Sequence, residues 1–157
     1  MNKFSCYMVF LLVLVSCDDD NPCDGVTVDV LTQFLYVEIL DVNGNNLIQN
    51  GTYSLDEVFT ERNGNRFPAV IYTGEASFID PSLQYKIEIG VVGDASSNNI
   101  WTVDLSDDET DTLRMDLSIL SQGCSGTFYQ INEIEYNNEI LPVQNLDENR
   151  FQVQVIK

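Results

Sequence analysis

Apolar and polar residues alternate along most of the chain, which is the pattern of a β-strand with one buried face. The clearest example is residues 85–91, where tyrosine, isoleucine and valine alternate with lysine and glutamate. Residues 101–105, 113–119 and 151–155 repeat the alternation. No segment after Cys17 shows the 3.6-residue repeat of an amphipathic helix. We therefore expect an all-β protein.

Two stretches depart from simple alternation. Residues 34–40 are apolar on both faces except at Glu38, which is typical of a central strand or of a strand beneath a loop. In residues 129–136 the apolar side chains change parity, which predicts a β-bulge near Asn132-Glu133. Asn137-Asn138 can adopt φ > 0, so we expect a turn there.

The sequence also predicts where other strands start and turn. Asn43-Gly44 is a strong signal for a type I′ hairpin, with Leu47-Ile48 beginning the return strand. Residues 55–61 are predicted to form a further strand, as are residues 26–30 and 76–79.

About 8–9 short strands joined mostly by tight turns predict one antiparallel, immunoglobulin-like β-sandwich over residues 26–157. A lipocalin-like barrel is the alternative, because short strands with hairpin turns suit it as well. We rank the barrel second, since Trp101 lies far along the chain and no Gly-x-Trp begins the first strand.

The N-terminus has the three parts of a secretory signal over residues 1–16. Lys3 supplies the positive charge, residues 7–15 form an apolar run, and the small Ser16 precedes the cleavage site. The apolar run is too short to span a bilayer, which takes about 20 residues. We therefore expect a signal helix that is removed on export.

The residues Leu14-Val15-Ser16-Cys17 resemble a bacterial lipobox. That resemblance implies cleavage before Cys17 and attachment of lipid to its thiol and its new amine. Several acyl chains on one residue give stable membrane anchoring. Residues 17–25 would then form a lipidated tether.

The acidic run Asp18, Asp19 and Asp20 resembles the export signal of Bacteroidota-type outer-membrane lipoproteins, which implies the cell surface. In other bacteria an aspartate after the cysteine resembles an inner-membrane retention signal.

The body is similar to small immunoglobulin-like lipoproteins of Bacteroidota, through its Asn-Gly pair, the Asp111-Thr112-Leu113 strand before Gly123-Cys124, and the final Ile156-Lys157. This resemblance supports the fold and implies no activity.

Composition excludes several functions. The sequence has no histidine, so Ser-His-Asp and Cys-His catalysis and the usual histidine-bearing zinc sites are absent. A formal net charge of −18 argues against binding nucleic acid or anionic lipid headgroups. Acidic residues are plentiful, so a carboxylate-based hydrolase stays open, although most of them occupy loops or the polar parity of strands.

Two acidic loops deserve comparison with calcium sites. Asp41, Asn43 and Asn45 have EF-hand spacing, but Gly44 comes too early and Thr52 cannot supply the bidentate carboxylate. The loop around residues 107–111 could gather an ion weakly, and a solvated acidic loop explains it more simply. We predict no metal and no cofactor.

Aromatic residues could form a carbohydrate-stacking platform. Most of them, namely Tyr85, Trp101, Tyr129 and Tyr136, lie on the apolar parity and are expected in the core. Tyr36 and Tyr72 lie on the outward parity and are better candidates.

We therefore expect a lipid-anchored, surface-exposed, non-enzymatic binding or accessory module, whose partner is an outer-membrane protein or a glycan. A carbohydrate-binding module and a carboxylate-based hydrolase are the alternatives.

The first testable prediction concerns Cys23 and Cys124, which remain after Cys6 leaves with the signal and Cys17 takes lipid. In an oxidising compartment we expect them to form a disulfide. Such a bridge closes a loop of about 100 residues and is worth about 4–5 kcal/mol. Thiol labelling of the unreduced mature protein should find neither cysteine free, whereas two labelled thiols would refute the bridge.

Overall fold

The computed structural model describes residues 32–74, 80–93, 99–123 and 126–157, which form two β-sheets. The first sheet contains β1 (Phe34–Leu40), β4 (Val70–Ile71), β5 (Ile87–Gly90), β10 (Gln144–Asn145) and β11 (Arg150–Ile156), in the order β10-β11-β1-β5-β4. The second contains β2 (Phe59–Arg62), β3 (Asn65–Pro68), β6 (Asn99–Ser106), β7 (Glu109–Gly123), β8 (Gly126–Tyr136) and β9 (Glu139–Leu141), in the order β3-β2-β6-β7-β8-β9. A 3₁₀ turn, Pro81–Leu83, precedes β5.

The two sheets do not close on each other, so the predicted β-sandwich is confirmed and the barrel alternative is wrong. Within the described ranges no helix is long and apolar enough to cross a membrane. The predicted signal helix, the tether and the strands at 26–30 and 76–79 lie outside the described residues.

The core lies between the sheets and follows the alternation seen in the sequence. Each main strand turns every second side chain inward, because successive side chains of a strand point to opposite faces. The largest of the core side chains that are less than 2% exposed are Leu35, Ile39, Ile87, Ile89, Leu105, Leu113, Met115 and Ile134.

Strand β1 is buried on both faces, as predicted for a central strand. Leu35, Val37 and Ile39 face the core, while Tyr36 on the opposite face is 4% exposed. β1 lies between β5, which is antiparallel to it, and β11, which is parallel to it over all seven of its residues. This parallel pair is an exception in an otherwise antiparallel sandwich.

The predicted bulge in β8 is confirmed. Asp116 of β7 pairs with Glu133, but the next residue, Leu117, pairs with Ile131, so Asn132 has no partner across the ladder. The extra residue shifts the parity of the strand, so residues 129 and 131 and residues 134 and 136 all pack against the same core.

The two asparagine turns behave differently. Asn137 and Asn138 have φ of 49° and 67° and join β8 to β9, as predicted. At Asn43-Gly44 the type I′ prediction is wrong, since only Gly44 has positive φ and the turn is a longer one closed by the Asp41 N–H to Asn45 C=O bond of 2.9 Å. The return consists of a single bridge between Leu40 and Asn46.

The strand predicted over 55–61 begins later, at Phe59. Residues 54–57 form a turn instead, in which the N–H of Glu57 donates to the C=O of Ser54 at 3.0 Å. The Ser54 hydroxyl also bonds the Asp56 carboxylate, so short polar side chains here compete with strand formation.

Buried polar side chains connect the two sheets at both ends of β1 and β11. Before β1, the amide of Gln33 bonds both the N–H and the C=O of Tyr129 in β8, at 2.7 and 3.1 Å. After β11, the ammonium of Lys157 bonds Glu109 at 2.7 Å and also bonds Asp111, both in β7. Gln33 is 4% exposed and Asp111 3% exposed, so these bonds satisfy groups that water does not reach.

Asp111 is the centre of the second connection. Its carboxylate also accepts bonds from the Tyr136 hydroxyl at 2.7 Å and the Asn137 amide at 2.6 Å. Burial opposes its ionisation, but the bonds from Lys157, Asn137 and Tyr136 outweigh burial and lower the pKa of Asp111.

We expect Asp111→Asn to lower the free energy of unfolding by about 1–3 kcal/mol at neutral pH, since it removes a buried charge-assisted acceptor. The folded pKa lies below the ordinary value of about 3.9, so this contribution is present above about pH 4 and is lost as the pH falls through the folded pKa. Denaturant unfolding should therefore show the two proteins converging in acid. Asp116→Asn, an exposed change on the same strand, is the control, and equal losses in both variants would contradict the prediction.

Candidate functional site

The outward face of the first sheet carries a groove with a volume of about 580 Å³. Volumes in this range are typical of small-molecule sites. Strands β1, β5 and β11, the residue that follows β4 and the loop before β11 contribute to it. We call it the tyrosine groove, and its lining residues are Thr32, Phe34, Tyr36, Tyr72, Glu88, Asp147, Glu148, Asn149 and Arg150.

The strand register brings the lining side chains together. Tyr36 on β1 is directly opposite Glu88 on β5, and Phe34 is directly opposite Arg150 on β11. Tyr72 comes just after β4, whose Val70 is opposite the same Glu88. Three aromatic residues, a carboxylate and a guanidinium therefore meet across β11, β1, β5 and the end of β4.

Tyr36 and Glu88 form a fixed pair in this groove. The Tyr36 hydroxyl donates to Glu88 Oε2 at 2.9 Å. Burial, reinforced by this bond and by the negative charge of Glu88, raises the pKa of Tyr36. The hydroxyl therefore stays protonated at physiological pH and continues to donate to Glu88.

Tyr72 is only half-buried, which separates it from Tyr36. Burial and the nearby Glu88 raise the pKa of Tyr72 as well. Its C=O accepts the N–H of Tyr85 at 2.9 Å, and Tyr85 has φ of 57°, which is rare for a bulky residue. The Asn46 amide bonds the Tyr85 C=O at 3.0 Å and helps to hold this conformation. The backbone beside Tyr72 is thus fixed from two directions.

The rim of the groove is a short loop held by Asp147. Its carboxylate accepts the N–H of Asn149 at 2.9 Å and the guanidinium Nε of Arg150 at 2.6 Å. The backbone bond from Asn149 lowers the pKa of Asp147 most; burial opposes this, and the bond from Arg150 and its positive charge add to the lowering. Arg150 is therefore already paired with a carboxylate.

A buried polar network continues the same face beyond the tyrosine groove. Lys86, 6% exposed, donates to Gln152 at 2.7 Å and lies 3.6 Å from Glu38. Glu38 also accepts bonds from the amides of Gln152 and Gln154, at 3.1 and 3.0 Å. The positive charge of Lys86 is thus matched by Glu38, and the polar groups of the network are partnered.

The other aromatic residues considered in the sequence belong to the core, as expected. Tyr136 is 3% exposed, and Tyr85, Trp101 and Tyr129 pack against the core cluster. The guanidinium of Arg62 also lies 5.4 Å from the centre of the Trp101 ring. Of the six aromatic residues weighed in the sequence, Tyr36 and Tyr72 are the pair that lines one groove.

Carboxylates of the two acidic loops form hydrogen bonds and ion pairs within the protein. Asp41 accepts the N–H groups of Asn43 and Asn45, each at 2.8 Å, so its oxygens stabilise its own turn. Glu109 and Asp111 bind Lys157, as described above. In the described part of the chain, no group of three or more His, Cys, Asp or Glu residues is placed to hold a metal ion.

Comparison with known proteins assigns neither a family nor a function to this chain. No protein-family model, curated protein or solved structure matches this chain. The predicted lipid site Cys17, the tether residues Asp18, Asp19 and Asp20, and the predicted disulfide partners Cys23 and Cys124 lie outside the described residues.

Tyr36 and Tyr72 both line the tyrosine groove, but we expect them to contribute differently to the stability of the fold. Tyr36→Ala should lower the free energy of unfolding by about 3 kcal/mol, because it removes a buried ring. Tyr72→Ala should lower it by about 1 kcal/mol, because this ring is half-exposed. Chemical denaturation of both variants tests the difference, and an equal loss would show that Tyr72 is a structural residue.

Proposed function

We propose that this protein is a non-enzymatic glycan-binding module, anchored in the outer membrane by lipid on Cys17 and exposed at the cell surface. The observation that carries the proposal is the meeting of Tyr36 on β1 and Tyr72 just after β4, both on the outward parity, in one groove with Glu88. The lipobox and the acidic tether support the location.

The chemistry of the groove suits a sugar. A sugar ring has an apolar C–H face, which packs on aromatic rings, and hydroxyl groups that need hydrogen-bond partners. Phe34 and Tyr72 are half-buried and supply aromatic surface. Glu88, Glu148 and Asn149 supply oxygen acceptors or an amide along the same groove.

The charges favour a neutral glycan. Arg150 is paired with Asp147, which leaves Glu88 and Glu148 as the remaining charged groups of the lining. The whole sequence has a formal net charge of −18. An acidic polysaccharide would be repelled by this surface.

Binding fits the site better than acid catalysis. A carboxylic acid that donates a proton near neutral pH needs a raised pKa. In the groove, the pKa of Asp147 is lowered, which is the opposite of what a general acid needs. The absence of histidine in the sequence also removes the commonest general base.

The test is calorimetric titration of the detergent-solubilised lipidated protein with neutral hexasaccharides of glucose, mannose, xylose and N-acetylglucosamine. We expect at least one series to bind, and Tyr72→Ala to weaken that binding about tenfold through lost stacking.

Phe67→Ala is the matched control, because Phe67 is an aromatic residue 53% exposed on the second sheet. Its affinity should equal that of the unmodified protein. If no neutral hexasaccharide bound, or if both variants lost affinity equally, the proposal would fail.

A further inference from the structure

Another concave surface on the outward face of the first sheet has a volume of about 340 Å³. It is formed by the far end of β1 and by the loop that follows β1. We call it the amide groove, and its lining includes Glu38, Leu40, Asn45, Asn46, Gln49 and Asn50.

The two grooves are connected along a single strand. The outward-facing residues of β1 are Phe34 and Tyr36 in the tyrosine groove, followed by Glu38 and Leu40 in the amide groove. From Phe34 to Leu40 the strand covers about 20 Å. Both grooves therefore lie in one line on one face of the sheet.

The surface between the grooves is polar and internally bonded. Gln154, which is exposed, pairs across the strands with Glu38 and donates to it at 3.0 Å. Lys86 lies beneath, with its charge matched by Glu38. This surface presents hydrogen-bonding groups without an unpaired positive charge.

The amide groove presents neutral polar groups to solvent. Asn45, Gln49 and Asn50 are exposed there. Amide side chains both donate and accept hydrogen bonds, which matches sugar hydroxyls.

We propose that the ligand is an extended neutral oligosaccharide that lies along β1 and occupies both grooves, with its stacked ring in the tyrosine groove and further rings over Glu38 and the amide groove. This inference rests on the proposed function. It adds that a single sugar or a disaccharide fills only part of the site.

The test is titration of the detergent-solubilised lipidated protein with each neutral series from disaccharide to hexasaccharide. Affinity should rise with length, with the hexasaccharide bound about tenfold more tightly than the disaccharide. Gln49→Ala should weaken hexasaccharide binding about fivefold through one lost hydrogen bond, and should leave disaccharide binding unchanged. Gln49 suits this test because it is exposed, so its loss leaves the fold intact.

Gln130→Ala, an exposed amide on β8 of the second sheet, is the matched control and should change neither affinity. Equal affinity for disaccharide and hexasaccharide, with Tyr72 still required, would overturn the extended site and leave the glycan-binding proposal standing. Absence of binding at every length would remove both. A hexasaccharide of galacturonic acid should bind more weakly than neutral ones, and equal affinity would contradict the charge argument.

Discussion

The parallel pairing of β1 with β11 is the constraint on which the rest of this structure depends. It places Arg150 beside Phe34 at one end of the ladder and carries Lys157 past Leu40 at the other. A shift by one residue would turn every β11 side chain to the opposite face. The same register therefore fixes the tyrosine groove and the connection between the sheets through Asp111.

The polar groups of the outward face need this register as well. Lys86 and Gln152 are each 6% exposed, and a buried charge or amide without a partner costs several kcal/mol. Lys86, just before β5, donates to Gln152 on β11, and Gln152 in turn donates to Glu38 on β1. Since the network is satisfied only when all three strands are aligned, it also makes the floor beside the groove rigid.

Local patterns in the sequence predicted local features well. The alternation gave the all-β class, the change of parity gave the bulge at Asn132, and Asn137-Asn138 gave a left-handed turn. Parity also separated Tyr36 and Tyr72 from the core aromatic residues, because the period of a strand reports which face a side chain occupies.

Features that depend on distant pairing could not be predicted. Periodicity does not report which strands are neighbours, so nothing in the sequence placed Arg150 beside Phe34 or Gln33 beside Tyr129. The Asn43-Gly44 turn differed because the Asp41 carboxylate captures two backbone N–H groups and favours a longer turn. Side-chain bonds of this kind outweigh a dipeptide preference.

On the proposed function, the rigid face and the lipid anchor have complementary effects on affinity. Because Tyr36 is held by Glu88 and Tyr85 is fixed between Tyr72 and Asn46, little of the groove has to be ordered when a ligand binds. A preorganised site loses less conformational entropy. Anchoring many copies in one membrane lets a single polysaccharide contact several grooves, which raises avidity by a factor of about 10²–10⁴ without any new contact. A groove of modest affinity is then sufficient to hold a polymer at the cell surface.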